Sequence, residues 1–294
     1  MTRNKIATYD RIGSDYNRHR AAEPSIVREL VRLLGVPRGS TIADVGAGTG
    51  NYSNALAGLG YTIQAIEPSG MMLTQVTRAP GVHWLAGIAE ALPLPGASVE
   101  GIVCTLALHH FDSVARAASE FRRVCPSGPM VLLTIDPRLG EPFCFAEFFP
   151  AIYRRLFTTF PPIDDVCAEL TKHSGCASEI SEWPLPQKAV DLTMHSGWNS
   201  PEIYLDQGHR QNMSGFALAS NDEVEPGLMA LEAALGSGAW DRDYGHLRLR
   251  EEADLGFRFI RLVPTEAQQG VPPDGPVSGA SPLRQGRRRT CALV

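Results

Sequence analysis

Three glycines at alternating positions are the feature of this sequence with the most specific chemistry. They are Gly46, Gly48 and Gly50 in the stretch DVGAGTG, which begins at Asp44 and is followed by Asn51. Because glycine has no Cβ, such a loop can turn tightly and lets a ligand approach the main chain. The spacing is not the dinucleotide fingerprint G-x-G-x-x-G, and no P-loop Gly-Lys-Ser/Thr follows. The loop therefore predicts a small-molecule site where a strand ends.

An acidic residue one strand further along the chain narrows the kind of ligand. Glu67 stands seventeen residues after Gly50, at the end of the next apolar run, and Pro68 and Ser69 follow it. A carboxylate at this place can accept hydrogen bonds from both hydroxyls of a ribose, and the alternative is a solvated loop carboxylate. A ligand with a ribose, a close approach to the backbone and no phosphate clamp fits S-adenosylmethionine.

Five short apolar runs predict the strands that position these residues. They are separated by 14 or more residues, as is typical of parallel strands buried on both faces. Residues 112–124 have the pattern of an amphipathic helix with Asp112 as its N-cap. Repeated β–α units of this kind predict an α/β fold with a Rossmann-like, doubly wound sheet. The predicted strands are 41–45, 62–66, 82–85, 101–105 and 130–135.

The chain divides into four parts. Residues 1–36 are predicted to form N-terminal lid helices, and residues 37–136 form the cofactor-binding core. Residues 137–263 supply a substrate cap and the last strands. Residues 264–294 contain five prolines and four glycines with almost no apolar periodicity, so they are predicted to be a disordered tail.

Three elements flank the core. A helix is predicted over 25–34, with Pro24 just before its start and Gly35 just past its end. Two further strands, near 179–183 and over 256–263, bring the predicted sheet to seven strands.

Composition and charge indicate a globular chain with a small-molecule substrate. The 294 residues carry a formal net charge of −5, and 44% are hydrophobic. This mild acidity gives no electrostatic footprint for nucleic acid, and no apolar stretch approaches the roughly 18 residues that span a bilayer. No signal peptide is visible, so we expect a cytoplasmic protein without nucleic-acid or membrane partners. Its oligomeric state stays open.

Six scattered cysteines are expected to be reduced thiols. None forms a C-x-x-C pair or stands at zinc-ligand spacing from a histidine, so no metal site is predicted. Two alternatives stay open: arsenite chemistry on Cys144, Cys167 and Cys176, and prenylation of Cys291, since the terminal CALV fits a C-a-a-X box.

Four motifs in order resemble the class I S-adenosylmethionine-dependent methyltransferases, in the branch that includes ubiquinone, menaquinone and natural-product methyltransferases. The resemblance runs from Tyr9 to about Val263. It rests on DVGAGTG at 44–50, EPSGMML at 67–73, AEALPL at 89–94 and LALHHF at 106–111. It implies S-adenosylmethionine as the cofactor and S-adenosylhomocysteine as its product.

The same resemblance implies a role for each cofactor-binding residue. Asp44 and the glycine loop surround the methionine half, Glu67 holds the ribose, and Met72 packs on the adenine. Ala89 and Glu90 border the adenine edge, Leu106 lies under the sulfonium, and the N-terminal segment closes as a lid. The full set is Tyr16, Arg20, Asp44, Gly46, Gly48, Gly50, Glu67, Pro68, Met72, Ala89, Glu90 and Leu106.

One position departs from the family pattern. Family members often carry an aspartate immediately before the Ala-Glu pair, where it accepts a hydrogen bond from the adenine amino group. Ile88 stands there in this chain. We therefore expect packing and backbone contacts to hold the adenine.

Two adjacent histidines are the predicted proton acceptors. Displacement at a sulfonium requires a nucleophile held in line with water excluded, and a hydroxyl, phenol or acidic carbon also requires a base that titrates near neutrality. His109 and His110 follow the fourth strand, and Asp136 ends the fifth, where it is expected to orient one imidazole. Because adjacent side chains point in different directions, at most one histidine is expected to face the substrate. The alternative is that a histidine packs against the sheet or caps a loop.

Aromatic residues crowd the region after Asp136, and they have two interpretations. They form the wall of an apolar substrate pocket, or they are ordinary helix-packing residues. An apolar, aromatic-rich cap favours a hydrophobic small molecule over nucleic acid. The residues are Phe143, Phe145, Phe148, Phe149, Tyr153 and Phe157, then Trp183, His195, Trp198 and Tyr204.

The sequence thus predicts an S-adenosylmethionine-dependent methyltransferase. The expected reaction is O- or C-methylation of a small, largely apolar metabolite in natural-product or quinone-type biosynthesis. Two alternatives remain: a rearrangement or cyclisation enzyme of the same fold without methyl transfer, and a non-catalytic cofactor-binding protein. The histidine pair disfavours only the second of these.

Overall fold

A seven-stranded sheet lies at the centre of the part of the chain that the structure describes. This computed structural model describes residues 21–211 and 213–265. In chain order the strands are β1 (Thr41–Val45), β2 (Thr62–Glu67), β3 (Val82–Ala86), β4 (Gly101–Thr105), β5 (Met130–Ile135), β6 (Cys176–Glu182), β7 (Leu185–Pro186), β8 (Glu252–Ala253) and β9 (Phe257–Pro264).

The order of the strands confirms a Rossmann-like, doubly wound sheet. It runs β3-β2-β1-β4-β5-β9-β6, and the short strands β7 and β8 pair separately. Strands β1 to β5 are parallel, and β9 is antiparallel to both of its neighbours. The direction of winding reverses between β1 and β4. In open α/β sheets, the carboxyl ends of the strands at such a point form the crevice that binds ligands.

Helices cover both faces of the sheet and build the cap. In chain order they are α1 (Pro24–Leu34), α2 (Asn51–Gly58), α3 (Gly70–Thr74), α4 (Val114–Val124), α5 (Phe145–Phe148), α6 (Pro150–Thr159), α7 (Ile163–Ser174), α8 (Gln207–Gln211), α9 (Ser214–Ala217), α10 (Asn221–Gly236) and α11 (Ala239–Tyr244). Short 3₁₀ helices lie at Leu108–His110, Met194–Gly197, Pro201–Tyr204 and Gly245–Leu249. No helix within the described ranges is long and apolar enough to cross a bilayer.

Alternate strand residues pack into two apolar cores, one on each face of the sheet. Ile42 and Val103 belong to the core that includes α1, α2 and the cap. Ala43 and Cys104 belong to the core that includes α4 and α7. Burial on both faces explains why β1, β4 and β5 read as almost continuous apolar runs.

Helix α1 follows its sequence signals closely. Pro24 is its first residue, and Gly35 ends it with a φ of 60°, a left-handed conformation that glycine adopts without steric cost. Its N-cap is Glu23, whose carboxylate accepts from the Ser25 N–H. Glutamate is not a usual N-cap residue, so the pattern of the sequence did not single it out.

The start of α4 corrects one prediction. Ser113, not Asp112, is the N-cap: its backbone is extended, and its side chain accepts from the Arg116 N–H at 3.2 Å. The carboxylate of Glu90 accepts from the N–H groups of Asp112 and Ser113 at 2.6 and 3.0 Å. A carboxylate from another loop therefore fixes the entry of the chain, which local sequence patterns do not indicate.

The cap has an aromatic core of its own. The rings of Phe145 and Phe149 lie 5.0 Å apart, and Phe149 meets Phe216 edge-on at 4.9 Å. Tyr204 completes the cluster 5.2 Å from Phe145. All four side chains are buried, so they pack within the cap. Tyr153 is half-buried, and its ring meets that of Phe157 on the same helix, α6, edge-on.

Two of the predicted parts extend beyond the described residues. Most of the tail predicted over 264–294, including Cys291, lies outside them, as does the first half of the predicted lid over 1–36. Tyr16 and Arg20, the two predicted cofactor contacts in that lid, also lie outside the described residues.

Candidate functional site

The glycine loop turns back over the end of β2. The N–H groups of Gly46 and Ala47 both donate to the Ile66 carbonyl, at 2.9 and 3.0 Å. Gly46, Gly48 and Gly50 have φ values of 77°, 59° and 90°, all in the left-handed region. A loop of this shape is accessible to glycine and costly for other residues.

The three glycines have different reasons to lack a side chain. A Cβ at Gly46 would lie 2.4 Å from the Cβ of Ala107, and one at Gly50 would lie 2.5 Å from the ring of Trp84. These two glycines are therefore required by packing. A Cβ at Gly48 would meet no atom within 4 Å. The open side of the loop is at Gly48, where a ligand can come against the main chain.

Alanine at Gly48 is expected to weaken cofactor binding specifically. The methyl group would occupy the open space beside the loop, so we expect a loss of ~tenfold or more in the affinity for S-adenosylmethionine. Gly39→Ala is the matched control, because Gly39 also has a positive φ, of 92°, and open space at its Cβ, but it lies between α1 and β1. Calorimetric titration of both variants checks this. Equal losses in the two variants would contradict the assignment.

Glu67 joins the glycine loop to the end of β2. Its Oε2 accepts from the Gly48 N–H and its Oε1 from the Ser69 N–H, each at 2.9 Å. The side chain is buried, with 7% of its surface exposed. An ionised carboxylate has about four acceptor sites, more than these two N–H groups require. A carboxylate at this place suits ribose hydroxyls and also holds the loop in shape.

The segment after Glu67 forms a short helix beside the crevice. Pro68 is exposed, and the side chain of Ser69 caps α3 by accepting from the Met72 N–H at 3.3 Å. Met72 is buried at 3% exposure, whereas its neighbour Met71 is 38% exposed. The cap thus directs Met72 inward, in keeping with its implied place against the adenine.

Asp44 lies buried beneath the loop, with 2% of its surface exposed. The Ser53 hydroxyl of α2 donates to its Oδ2 at 2.5 Å. Burial raises the pKa of the Asp44 carboxyl from 3.8 to about 6; the Ser53 bond opposes the rise, and the nearby charge of Glu67 adds to it. A buried carboxylate of this kind suits a cationic group, such as the amino group of a methionine moiety.

Asp44→Asn is expected to stabilise the protein at high pH while it weakens cofactor binding. The folded state holds this proton more tightly than the unfolded chain, so the stability due to Asp44 is greatest below pH 3.8 and is lost as the pH rises through about 6. Removing the charge should therefore add about 3 kcal/mol to the free energy of unfolding at pH 8. The gain should be close to nothing at pH 3.8. Urea unfolding at the two pH values measures this, and equal gains would contradict it.

The segment predicted to border the adenine holds a buried alanine between two more accessible residues. Ala89 is 5% exposed, and Ile88, the residue that departs from the expected pattern, is 40% exposed. The carboxylate of Glu90 is used at the N-terminus of α4, where it accepts from the Asp112 and Ser113 N–H groups. Of these three residues, Glu90 therefore has a structural role of its own.

The loop after β4, which begins with Leu106, packs against the glycine loop. Leu106 has a φ of 54°, which is uncommon for a residue with a side chain, and its N–H donates to the Leu133 carbonyl at 2.9 Å. The next residue, Ala107, is the one that packs on Gly46. The glycine loop and the start of the LALHHF motif are therefore neighbours at the crevice.

The two histidines lie side by side in the 3₁₀ helix Leu108–His110, with their ring planes tilted by 50°. The ring centroids of His109 and His110 lie 3.8 Å apart, and the His109 ring lies 4.4 Å from that of Phe160. Both histidines are half-buried. The structure thus places both imidazoles at the carboxyl end of β4, with His109 between His110 and an aromatic ring of the cap.

Asp136 does not orient an imidazole, which corrects the prediction. It accepts from the N–H and the guanidinium of Arg138, both at 3.0 Å, and from the Ile163 N–H at 2.9 Å. Burial opposes ionisation, but these donors hold the pKa of Asp136 below its ordinary value. Among the residues that the structure describes, no histidine hydrogen-bonds to it. Asp136 therefore ties the end of β5 to α7.

The three cysteines considered for arsenite chemistry are not brought together. Cys144 belongs to the core on one face of the sheet, whereas Cys167 and Cys176 belong to the core on the other. All three thiols are buried, and burial raises the pKa of Cys144 to about 11. Buried thiols with raised pKa values are poor nucleophiles and ligands.

Two concave regions differ sharply in what surrounds them. A groove of about 370 Å³ lies at the edge strand β6, and it contains none of the predicted site residues. A much smaller cavity, of about 10 Å³, lies beside Leu106. Its wall includes the buried carboxylates of Glu23 and Asp191, which sequence reasoning missed because neither belongs to a motif.

The fold and the site together define an α/β protein that holds an adenosyl cofactor. The crevice has a backbone cradle open at Gly48, a carboxylate at Glu67 for a ribose and a buried carboxylate at Asp44 for a cationic group. No P-loop lysine accompanies the glycines. These residues fit S-adenosylmethionine.

Comparison with known proteins gives the family. A family model described as "Methyltransferase domain" matches residues 43–133. A demethylmenaquinone methyltransferase from Renibacterium salmoninarum is 30% identical over 219 residues, which cover 72% of this chain and 81% of that protein. The crystal structure of a putative methyltransferase from an antibiotic biosynthesis pathway of Anabaena variabilis has a TM-score of 0.81 and 39% identity, and covers 83% of this chain and 99% of that one.

A more distant structure shows the same fold. Haemonchus contortus phosphoethanolamine N-methyltransferase 2, in complex with S-adenosyl-L-methionine, has a TM-score of 0.52 and 14% identity, over 89% of this chain and 57% of that one. The chain belongs to the class I S-adenosylmethionine-dependent methyltransferases. It is a methyltransferase, and S-adenosylmethionine is its cofactor.

Proposed function

We propose that the enzyme methylates an oxygen or carbon atom of a small, largely apolar metabolite, in quinone-type or other natural-product biosynthesis. The observation that carries this proposal is the pair His109 and His110 at the carboxyl end of β4, whose rings lie 3.8 Å apart, with the Phe160 ring 4.4 Å from that of His109. A half-buried imidazole beside an aromatic ring suits proton removal from a hydroxyl, a phenol or an acidic carbon.

Two of the similar proteins support a metabolite as the acceptor. The Renibacterium relative is named for demethylmenaquinone, and the Anabaena structure is described as part of an antibiotic biosynthesis pathway. Both names point to small organic molecules as acceptors. The net charge of −5 is also unsuited to a nucleic-acid acceptor.

The residues of the chain divide the work between holding the cofactor and preparing the acceptor. The bound cofactor supplies an electrophilic methyl group on a sulfonium. Asp44, Gly48 and Glu67 hold it through charge, backbone approach and ribose hydrogen bonds. One imidazole of the histidine pair takes the proton of the acceptor, and the aromatic cap excludes water.

Transfer of a labelled methyl group tests the proposal. The full chain is incubated with methyl-labelled S-adenosylmethionine and a panel that contains a demethylated naphthoquinol, simple phenols, a carboxylic acid and transfer RNA. We expect label on the carbon of the quinol or the oxygen of a phenol. Label confined to the acid or the RNA would contradict the proposal, as would turnover of an apolar acceptor without label.

A further inference from the structure

Leu106 has a backbone conformation that residues with a side chain rarely adopt. Its φ is 54°, in the left-handed region, and among the residues that the structure describes only one other non-glycine residue, Ala97 with a φ of 53°, shares this property. The conformation is costly for a residue with a Cβ, so it persists only where the surrounding structure holds it. Residues held in this way are concentrated at functional sites.

The neighbours of Leu106 hold its backbone on both sides. Its N–H donates to the Leu133 carbonyl of β5 at 2.9 Å. The next residue, Ala107, packs so closely on the glycine loop that a Cβ at Gly46 would lie 2.4 Å from its own Cβ. Leu106 is therefore fixed between the end of β4 and the glycine loop.

The side chain of Leu106 forms part of the wall of the small cavity. The cavity has a volume of about 10 Å³, and Ile26, Trp183 and Leu185 supply other apolar parts of its wall. Ile26 and Leu185 are each 2% exposed, whereas Leu106 is half-buried. Leu106 also lies at the carboxyl end of β4, where the crevice forms. It thus stands between the crevice and the cavity.

A leucine at this position has a use other than the shape of the loop. Glycine adopts a left-handed conformation without steric cost, so it would suit the turn after β4 better than leucine does. What leucine adds is a branched apolar side chain. That side chain occupies the boundary between the place that holds the cofactor and a void that fits only one water-sized group.

We propose that the Leu106 side chain closes the inner end of the acceptor pocket and thereby limits the size of the acceptor. This inference rests on the proposed function and adds the residue that determines acceptor size. Leu106→Ala would remove three carbon atoms from the boundary and join the cavity to the crevice. The acceptor of the parent enzyme then carries no substituent on the side that meets Leu106.

Binding of four phenols tests the proposal without requiring turnover. Phenol and its 2-ethyl, 3-ethyl and 4-ethyl derivatives are titrated by NMR into the full chain, which calorimetry shows to be saturated with S-adenosylhomocysteine. In Leu106→Ala, at least one ethyl isomer should gain about tenfold in affinity relative to phenol, as expected for burying two more carbons. The same isomer should gain less than about twofold over phenol in the parent.

Leu185→Ala is the matched control for the size of the cavity. It makes the same chemical change in the wall of the same cavity, at a fully buried residue of β7. It enlarges the void without opening it toward the crevice, so the ratios of the phenol affinities should stay at their parent values. An equal gain in Leu185→Ala, or no gain for any isomer in Leu106→Ala, would overturn the proposal. Failure of all four phenols to bind the parent and the variants would overturn it too.

Leu106→Gly separates the size of the side chain from the strain of the backbone. Glycine relieves the strain, so this variant should fold and show the same tenfold gain. Ala97→Gly relieves the same kind of strain at an exposed position, where the N–H donates to the Arg123 carbonyl. It should leave the phenol ratios unchanged. A gain in Ala97→Gly as large as in Leu106→Gly would contradict a role for side-chain size.

The outcomes also distinguish this inference from the function on which it rests. Phenol ratios that do not respond to Leu106→Ala would overturn the size limit even if labelled methyl groups reach a small metabolite. Ratios that change as expected, together with label confined to nucleic acid, would instead contradict the proposed function.

Discussion

Replacing one of the two adjacent histidines after β4 is expected to lower kcat by about 10²–10⁴, the range for loss of a general base. The variants are His109→Gln and His110→Gln, tested separately with the acceptor found by label transfer. Because a single general base removes the proton, we expect the large effect in one variant and less than ~tenfold in the other. Cofactor affinity should not change in either. Single-turnover and steady-state rates together measure the loss.

The ring contacts of His109 make a stability control necessary for this prediction. The His109 ring lies between His110 and Phe160, so its loss also removes packing. The melting temperature of each variant therefore has to be compared with its kcat. His83→Gln, on the exposed face of β3, should change neither quantity. Full kcat in both His109→Gln and His110→Gln would show that the acceptor needs no base from this pair.

Glu67→Ala should weaken S-adenosylmethionine binding by about 1–3 kcal/mol, because the hydrogen bonds to ribose are lost. The structure adds a second reason for a loss: the same carboxylate accepts from the N–H groups of Gly48 and Ser69. Removing the carboxylate also removes the acceptor of the Gly48 N–H, so the glycine loop loses one of its hydrogen bonds. Calorimetry at neutral pH measures the change, and Glu67→Gln, which keeps one acceptor oxygen, should lose less affinity.

Glu100, at the opposite end of the sheet strands from the crevice, is the control position for Glu67. Glu100 accepts from the Thr41 N–H at 2.6 Å, at the amino end of β1 and away from the crevice. Glu100→Ala removes a backbone acceptor without touching the cofactor site, so affinity should stay at the parent value. If Glu67→Ala also keeps the parent affinity, the ribose assignment is wrong.

The strands and the glycine loop were predictable because their causes are local. β1, β4 and β5 begin and end as predicted, since strands buried on both faces require apolar residues throughout. Gly46, Gly48 and Gly50 do lie in a left-handed conformation. Their local sequence does not show why two of them must lack a side chain. Gly46 packs on Ala107 and Gly50 on Trp84, and both neighbours are far away in sequence.

The role of Asp136 was not predictable from its place at the end of a strand. Its partners are Arg138 and the N–H of Ile163, twenty-seven residues further along the chain. The N-cap of α4 was misassigned for a similar reason, since Glu90 belongs to a different loop. Hydrogen bonds between distant segments depend on how loops meet, and sequence spacing carries no information about that.

The amino-acid sequence alone determined the strands of the α/β core and the glycine loop after β1, because short-range backbone and burial requirements dictate those residues, and the resemblance of its motifs indicated the methyltransferase family. Only the tertiary structure decided which residues meet beside the crevice. It brings Glu23 from before α1, Asp191 from the cap and Leu106 from after β4 to one small cavity. The packing of the cap on the sheet joins them, and neither Glu23 nor Asp191 belongs to a motif in its own stretch of sequence.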